Sequence, residues 1–228
     1  MININNISIP KGEVLRYLGY KSQSIDESLN KLIDETIEES KNLIEARYVI
    51  AKYKKEVQGE NLILKGTSLI LLGNDIREHL KNSNEVILMA TTIGSKIEKT
   101  ISLYQKTNLT KALILDSCAT TAVEELCDLI EKDIKEEAHN INKGITFRYS
   151  PGYGDLPLSL QKPIIDTLKA DKVIGLTTSE KHLLFPRKSV TAIIGLIPKE
   201  QETNNKGCEV CKNYKNCSFR REGLKCGN

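Results

Sequence analysis

Residues 148–161 read RYSPGYGDLPLSLQ, and the rest of the chain is understood by working outward from this stretch. Gly152 and Gly154 admit backbone at positive φ and the close approach of another group, while Pro151 and Pro157 fix φ and remove two amide donors. The stretch is therefore a rigid, shaped loop. Arg148 carries a planar fork of donors suited to a carboxylate or a phosphate, and Tyr149 and Tyr153 carry ring faces and hydroxyls. Fixed shape and those three side chains are what a small-ligand site needs.

On either side the chain alternates between two periodicities. A short strand, ITFRYS, leads into the loop, a helix begins near Gln161, and SVTAIIGLIP (189–198) has the unbroken apolar run of a final buried strand. Upstream, residues 109–139 predict one long helix with Leu113, Ile114, Leu126, Leu129, Ile130 and Ile134 as its apolar stripe, and residues 95–106 predict another. EVILMATTIG before them reads as a buried strand. Asn74 is placed to cap a short helix, DIREHLKN. ARYVIAKYKKEV and NLILKG read as strands separated by a glycine turn. From Ser24, the residues Ile25, Leu29, Leu32, Ile33, Ile37, Leu43 and Ile44 recur at helical spacing, behind a brief helix introduced by Pro10 and Gly12. Strands and helices are interspersed without regular alternation. This predicts an α+β domain, with long helices packed on a mixed or antiparallel sheet, rather than a doubly wound fold.

Composition narrows the function classes. The 228 residues suffice for one substantial core plus a small appendage, and 28% charged with 39% hydrophobic residues is ordinary for a globular protein. A net charge of +3 does not argue for nucleic acid. Apolar runs such as SLILLG fall short of the ~20 residues a membrane span needs, and the N-terminus lacks the pattern of a secretory signal. A cytoplasmic location is expected. No G-x-x-x-x-G-K-[ST] or G-x-G-x-x-G opens a helix, so ordinary nucleotide cradles are disfavoured. His79, His139 and His182 lie in unrelated contexts and read as surface or helix-end residues, while Cys118 and Cys127 read as small core residues of the long helix.

After Pro198 the composition changes abruptly. KEQETNNKG, over 199–207, reads as a linker between a domain of residues 1–198 and a tail of residues 208–228. The tail spaces Cys208, Cys211, Cys217 and Cys226 as C-x2-C-x5-C-x8-C, and four thiolates so close together suit zinc or an iron–sulfur cluster. Neighbouring lysines and arginines would lower the thiol pKa values, and spacing alone does not choose the metal.

FRYSPGYGDLPLSLQ, taken with GLTTSEKHLLFPRKSVTAIIGL downstream, resembles the reactivation domain of cobalamin-dependent methionine synthases. An R-x-x-P-G-Y loop is matched by Arg148, Pro151, Gly152 and Tyr153, and a later L-T-x-S…P-x-x-S-V segment by Leu176, Thr177, Ser179, Pro186, Ser189 and Val190. The preceding helix TTAVEELCDLIEKDI is also similar, and the resemblance covers residues 85–198. Here Gly154 and Asp155 follow the tyrosine where the family usually has proline, no tryptophan is present, and no histidine lies in a cobalamin-binding D-x-H-x-x-G context.

The resemblance implies a methionine synthase activation-domain-like fold that binds S-adenosylmethionine and donates its methyl group to cobalamin during reductive reactivation. By resemblance Arg148 and Tyr153 contact the methionine part, the backbone at Ser150 holds the adenosine, and Glu124 lines the site. The cobalamin would come with a separate methionine synthase chain, and the electron from a flavodoxin- or ferredoxin-type donor. In that case the four-cysteine tail is either an electron relay or a structural clip. The competing reading keeps the fold and drops the transfer, leaving a corrinoid-protein adaptor. A third places the chain in a different corrinoid methyltransferase system.

Overall fold

The structure, a computed structural model, describes residues 7–202 apart from 22 and 60. The tail cysteines Cys208, Cys211, Cys217 and Cys226 lie outside the described residues.

Among the described residues six strands form one sheet in the order β3-β2-β1-β4-β8-β5: β1 (Arg47–Gln58), β2 (Asn61–Leu64), β3 (Ile70–Leu71), β4 (Glu85–Thr92), β5 (Lys143–Ile145) and β8 (Ser189–Pro198). Every pairing described is antiparallel, which resolves the expectation of a mixed or antiparallel sheet. A separate small hairpin joins β6 (Thr177–Thr178) to β7 (Leu184–Phe185). Strand β4 is almost continuously apolar because both its faces are covered. Ile87 and Met89 face one cluster of buried side chains, while Val86, Leu88 and Ala90 face another.

The first face is covered by α1 (Lys11–Tyr17), α2 (Glu27–Leu43), α4 (Lys96–Thr107) and α5 (Leu109–Asn140). Helix α5 touches the other three, which explains why Cys118, Ala119, Ala122, Leu126 and Cys127 are all fully buried along it. Burying a side chain such as Ile33, Ile97 or Ile114 contributes about 1.5–3 kcal/mol each. Burial pushes the Cys118 and Cys127 thiols up to about 12, so both behave as inert core residues. The opposite face carries α3 (Asn74–His79), α6 (Gln161–Leu168) and α7 (Ala170–Val173).

Three local expectations are corrected. Asn74 does not cap α3 but begins it. Gly73 occupies the cap position at φ 121°, and the carboxylate of Asp155 accepts the N–H groups of Asn74 (2.6 Å) and Asp75 (3.0 Å). A Cβ on Gly73 would lie 2.5 Å from Asp155 Oδ1, so the close approach of the loop requires glycine. The strand foreseen in ITFRYS is regular only through Ile145. Beyond it the segment holds to β8 through Thr146 N–H on the Gly195 carbonyl (2.9 Å) and an isolated Tyr149–Ile193 bridge. Third, the polar run after Pro198 stays with the domain at first. Lys199–Gln201 form a 3-10 turn and Glu202 is clamped by the Ile145 amide (3.1 Å) and His139 Nε2 (2.7 Å).

Candidate functional site

The loop is held rigidly from the α3 side. Ser150 carbonyl accepts from Tyr153 N–H (3.1 Å), and Gly152 N–H donates to the Leu156 carbonyl (2.9 Å) while Pro151 and Leu156 are buried beneath. Gly152 and Gly154 take φ of 96° and 53°, as their identity suggested. At Gly154 a side chain would run into Asp75 Oδ2 and the Tyr149 hydroxyl. The departure at Gly154 and Asp155 from the family pattern therefore has a local reason: these two residues fasten the loop to α3.

Beyond Ile145 the segment sends Phe147 and Tyr149 to one side and Arg148 to the other. Tyr149 turns toward α3, where its ring lies 5.0 Å from that of His79 and 6.4 Å from that of Tyr153, and Phe147 lies 4.4 Å from His79. His79 is thus more than a helix-end residue. It is half-buried among these rings, hydrogen-bonded at Nε2 to Thr146 Oγ1 (2.9 Å), and burial pushes its pKa down to about 4. Tyr153 ends the row, 68% exposed.

Arg148 turns the other way, onto α5. Its Nη2 donates to Asp128 Oδ1 (2.7 Å), its Nε pairs with Glu131 Oε2 (3.0 Å), and Glu124 Oε2 is 3.8 Å from Nη2. Its Nη1 is buried and has no hydrogen-bond partner among the described residues. Burial opposes the charge on Arg148, but the adjacent carboxylates outweigh it and hold the pKa above its ordinary value. One cation thus faces three carboxylates.

A second cation grips α5 further toward its N-terminus. Lys188 Nζ contacts Asp116 Oδ1 (2.9 Å), Thr120 Oγ1 (2.7 Å) and the Asp116 carbonyl (3.3 Å). Asp116, Thr120, Glu124, Asp128 and Glu131 form one stripe at helical spacing, spanned by Lys188 at one end and Arg148 at the other. Between these bridges no described strand pairs with the outer edge of β8 over residues 189–192. A polar ligand lying along the stripe would find carboxylates, an unsatisfied guanidinium nitrogen and open strand edge.

Of the residues expected at the site, Arg148 and Glu124 come together, Ser150 contributes backbone to the loop turn, and Tyr153 stands on the aromatic side. Sequence reading missed Asp128, Glu131, Asp116 and Lys188, although the spacing of the acids on α5 was the available signal. No group of histidine, cysteine and carboxylate side chains able to hold a metal is found among the described residues.

A solved structure, the MetH reactivation domain bound to AdoHcy, superposes on the chain with a TM-score of 0.62. The match covers 92% of this chain and 80% of that one. The fold is that of a reactivation domain. At 12% identity the likeness concerns the fold alone. No protein-family profile matches the chain, and no curated protein does. The six-stranded antiparallel sheet with long helices on one face is thus the reactivation-domain architecture. Among the described residues no helix is long and apolar enough to cross a membrane.

Proposed function

We propose that the chain is the reactivation component of a split cobalamin-dependent methionine synthase, binding S-adenosylmethionine along the acidic stripe of α5. The observation that carries this reading is the Arg148 cluster. A buried guanidinium nitrogen without an acceptor is a donor awaiting one, and the ligand's carboxylate supplies it. The excess of carboxylates at Glu124, Asp128 and Glu131 suits the ammonium and the sulfonium, the two cationic centres of the same ligand. The backbone at Ser150, where the adenosine would rest, and the exposed ring of Tyr153, assigned with Arg148 to the methionine part, lie on the loop that begins at Arg148.

The chemistry belongs to a cobalamin carried by the partner chain. Reduced by one electron from a flavodoxin- or ferredoxin-type donor, that cobalamin would supply the methyl acceptor, and S-adenosylhomocysteine would be the product released. This chain contributes binding and orientation: it holds the amino-acid end and aims the methyl group outward. Cys208, Cys211, Cys217 and Cys226 would add a zinc or iron–sulfur centre, which iron and zinc analysis of the anaerobically purified protein decides.

A second reading, a corrinoid-protein adaptor without ligand binding, is favoured by the fact that Arg148 already has three acidic partners. Calorimetric titration of S-adenosylmethionine into the wild-type chain and Arg148→Ala separates the two. Saturable binding that the folded variant loses supports the reactivation reading. A folded wild type that binds nothing, alone or with its cobalamin partner, leaves the adaptor.

A further inference from the structure

At the far end of α5 from Lys188, the helix-covered face of the sheet stays open. Antiparallel pairing sets Lys52 opposite Ile87 and Glu85 opposite Leu196, so these four side chains share that face, and Ile50 joins them two residues from Lys52. Ile134 and Ala138, in the last turns of α5, stand over them. Between the two layers lies a cavity of about 470 Å³, walled by Ile50, Ile87, Leu196, Ile134 and Ala138, with Ile141, 55% exposed, at its mouth. That volume falls within the roughly 300–1,000 Å³ usual for small-ligand pockets. The cavity is separate from the Arg148 cluster.

The mouth is polar and balanced in charge. Lys52, Glu137 and Asn140 line it. Behind them Glu85 pairs with Lys143 and lies 3.5 Å from Lys52 Nζ. The hydrogen bond from Lys143, followed by the charges of both lysines, holds the pKa of Glu85 low against its burial, so it remains a carboxylate. Two ammonium groups thus stand against two carboxylates. An ammonium donates, a carboxylate accepts and the Asn140 amide does both, so a group that donates and accepts without net charge can pair with all three lining residues. An anion would meet Glu137, and a cation would meet Lys52.

We propose that this cavity binds a small amphiphile, with a short aliphatic body between the sheet and α5 and an uncharged, amide-like head at Lys52, Glu137 and Asn140. The walls choose the body: they are aliphatic throughout, with no aromatic ring to stack on, so affinity comes from apolar area removed from water. The mouth chooses the head, because only a neutral donor and acceptor leaves neither the lysine nor the glutamate opposed. The site does not depend on the ligand reading of the Arg148 cluster.

Methyl NMR on the full chain, labelled at the isoleucine δ1 carbons, reads the walls one by one. Titration with hexanamide should shift Ile50, Ile87, Ile134 and Ile141 saturably, while Ile76 and Ile164, on the opposite face of the sheet, stay in place. For a ligand of so few atoms the dissociation constant should be about millimolar. Hexanoate and hexylamine, of the same length but charged, should bind about tenfold more weakly. Ala138→Leu puts side-chain carbons into the cavity and should weaken hexanamide by about tenfold or more. Ile141→Asp, at an exposed position where the core is not at stake, should weaken it as well. A folded wild type whose four methyls do not move overturns the proposal, as do shifts of equal size on both faces. Failure of hexanamide to be preferred over either charged homologue, or affinity indifferent to both substitutions, also overturns it. Shifts of the same methyls that grow with protein concentration alone assign the face to a second copy and overturn it equally.

Discussion

Lys188 and Arg148 are the two cations that tie the loop side of the molecule to α5, and their side chains are equally sheltered, each 18% exposed. Lys188 is complete. Its three ammonium protons meet three acceptors, one of them a single formal negative charge, so it is a clamp with nothing left to offer. Arg148 is incomplete in two senses. One guanidinium nitrogen is buried without a partner among the described residues, and three carboxylates rather than one lie around the group. Matched valence marks a structural tie; mismatched valence marks a place where a ligand finishes the pairing.

The largest effects should break this comparison cleanly. Arg148→Lys keeps the charge but loses the planar fork, so S-adenosylmethionine affinity should fall by about tenfold to a hundredfold, with little change in unfolding temperature. Lys188→Gln should do the reverse: it leaves the Asp116 carboxylate unpaired, lowers stability by about 1–2 kcal/mol, and preserves binding. Calorimetry and thermal unfolding on both variants supply the four numbers. If Lys188→Gln abolishes binding and Arg148→Lys does not, the roles assigned to the two cations are wrong.

A second contrast concerns the two loop glycines. Both have positive φ, but an added Cβ at Gly152 meets only Leu158 Cδ1 at 3.4 Å, whereas at Gly154 it collides with Asp75 and with the Tyr149 hydroxyl. Gly154→Ala should cost about 2 kcal/mol in denaturant unfolding and Gly152→Ala about 1 kcal/mol, the latter from backbone strain alone. Equal costs would mean that the link to α3 contributes nothing to loop rigidity.

How far the molecule was readable from its residues depends on the range of the interactions involved. Strand β8 was foreseen residue for residue and α5 to within one residue, because an unbroken apolar run and a helical stripe are local signals. The cap on α3 was misassigned. Asn74 has the right chemistry for a cap, but Asp155, far along the chain, supplies the carboxylate instead. Likewise the acids on α5 could be seen as a stripe, but which of them would meet Arg148 depended on how residues 146–149 register on β8. The candidate site was therefore legible as a loop and a helix, and only the tertiary pairing showed which side chains face each other.

His79 offers the smallest effect and a test of the aromatic side. Thr146, Phe147 and Tyr149 surround it, none of which brings a charge to compensate an imidazolium, and burial lowers its pKa to about 4. The folded state thus prefers the neutral ring while the unfolded chain takes up a proton near the ordinary value. Over that interval the unfolded state binds more protons, so stability is intact above about pH 6.5 and declines as the pH falls toward 4. Between pH 7.5 and 5.5 the loss should be about 1 kcal/mol, seen as a shift in the denaturant midpoint at constant slope. His79→Gln, which retains a hydrogen-bonding partner for Thr146 and cannot titrate, should flatten that interval. A wild-type profile already flat from 7.5 to 5.5 would place a wet, exposed imidazole at this position. The row from Phe147 to Tyr153 would then be an open surface rather than the packed support under the loop.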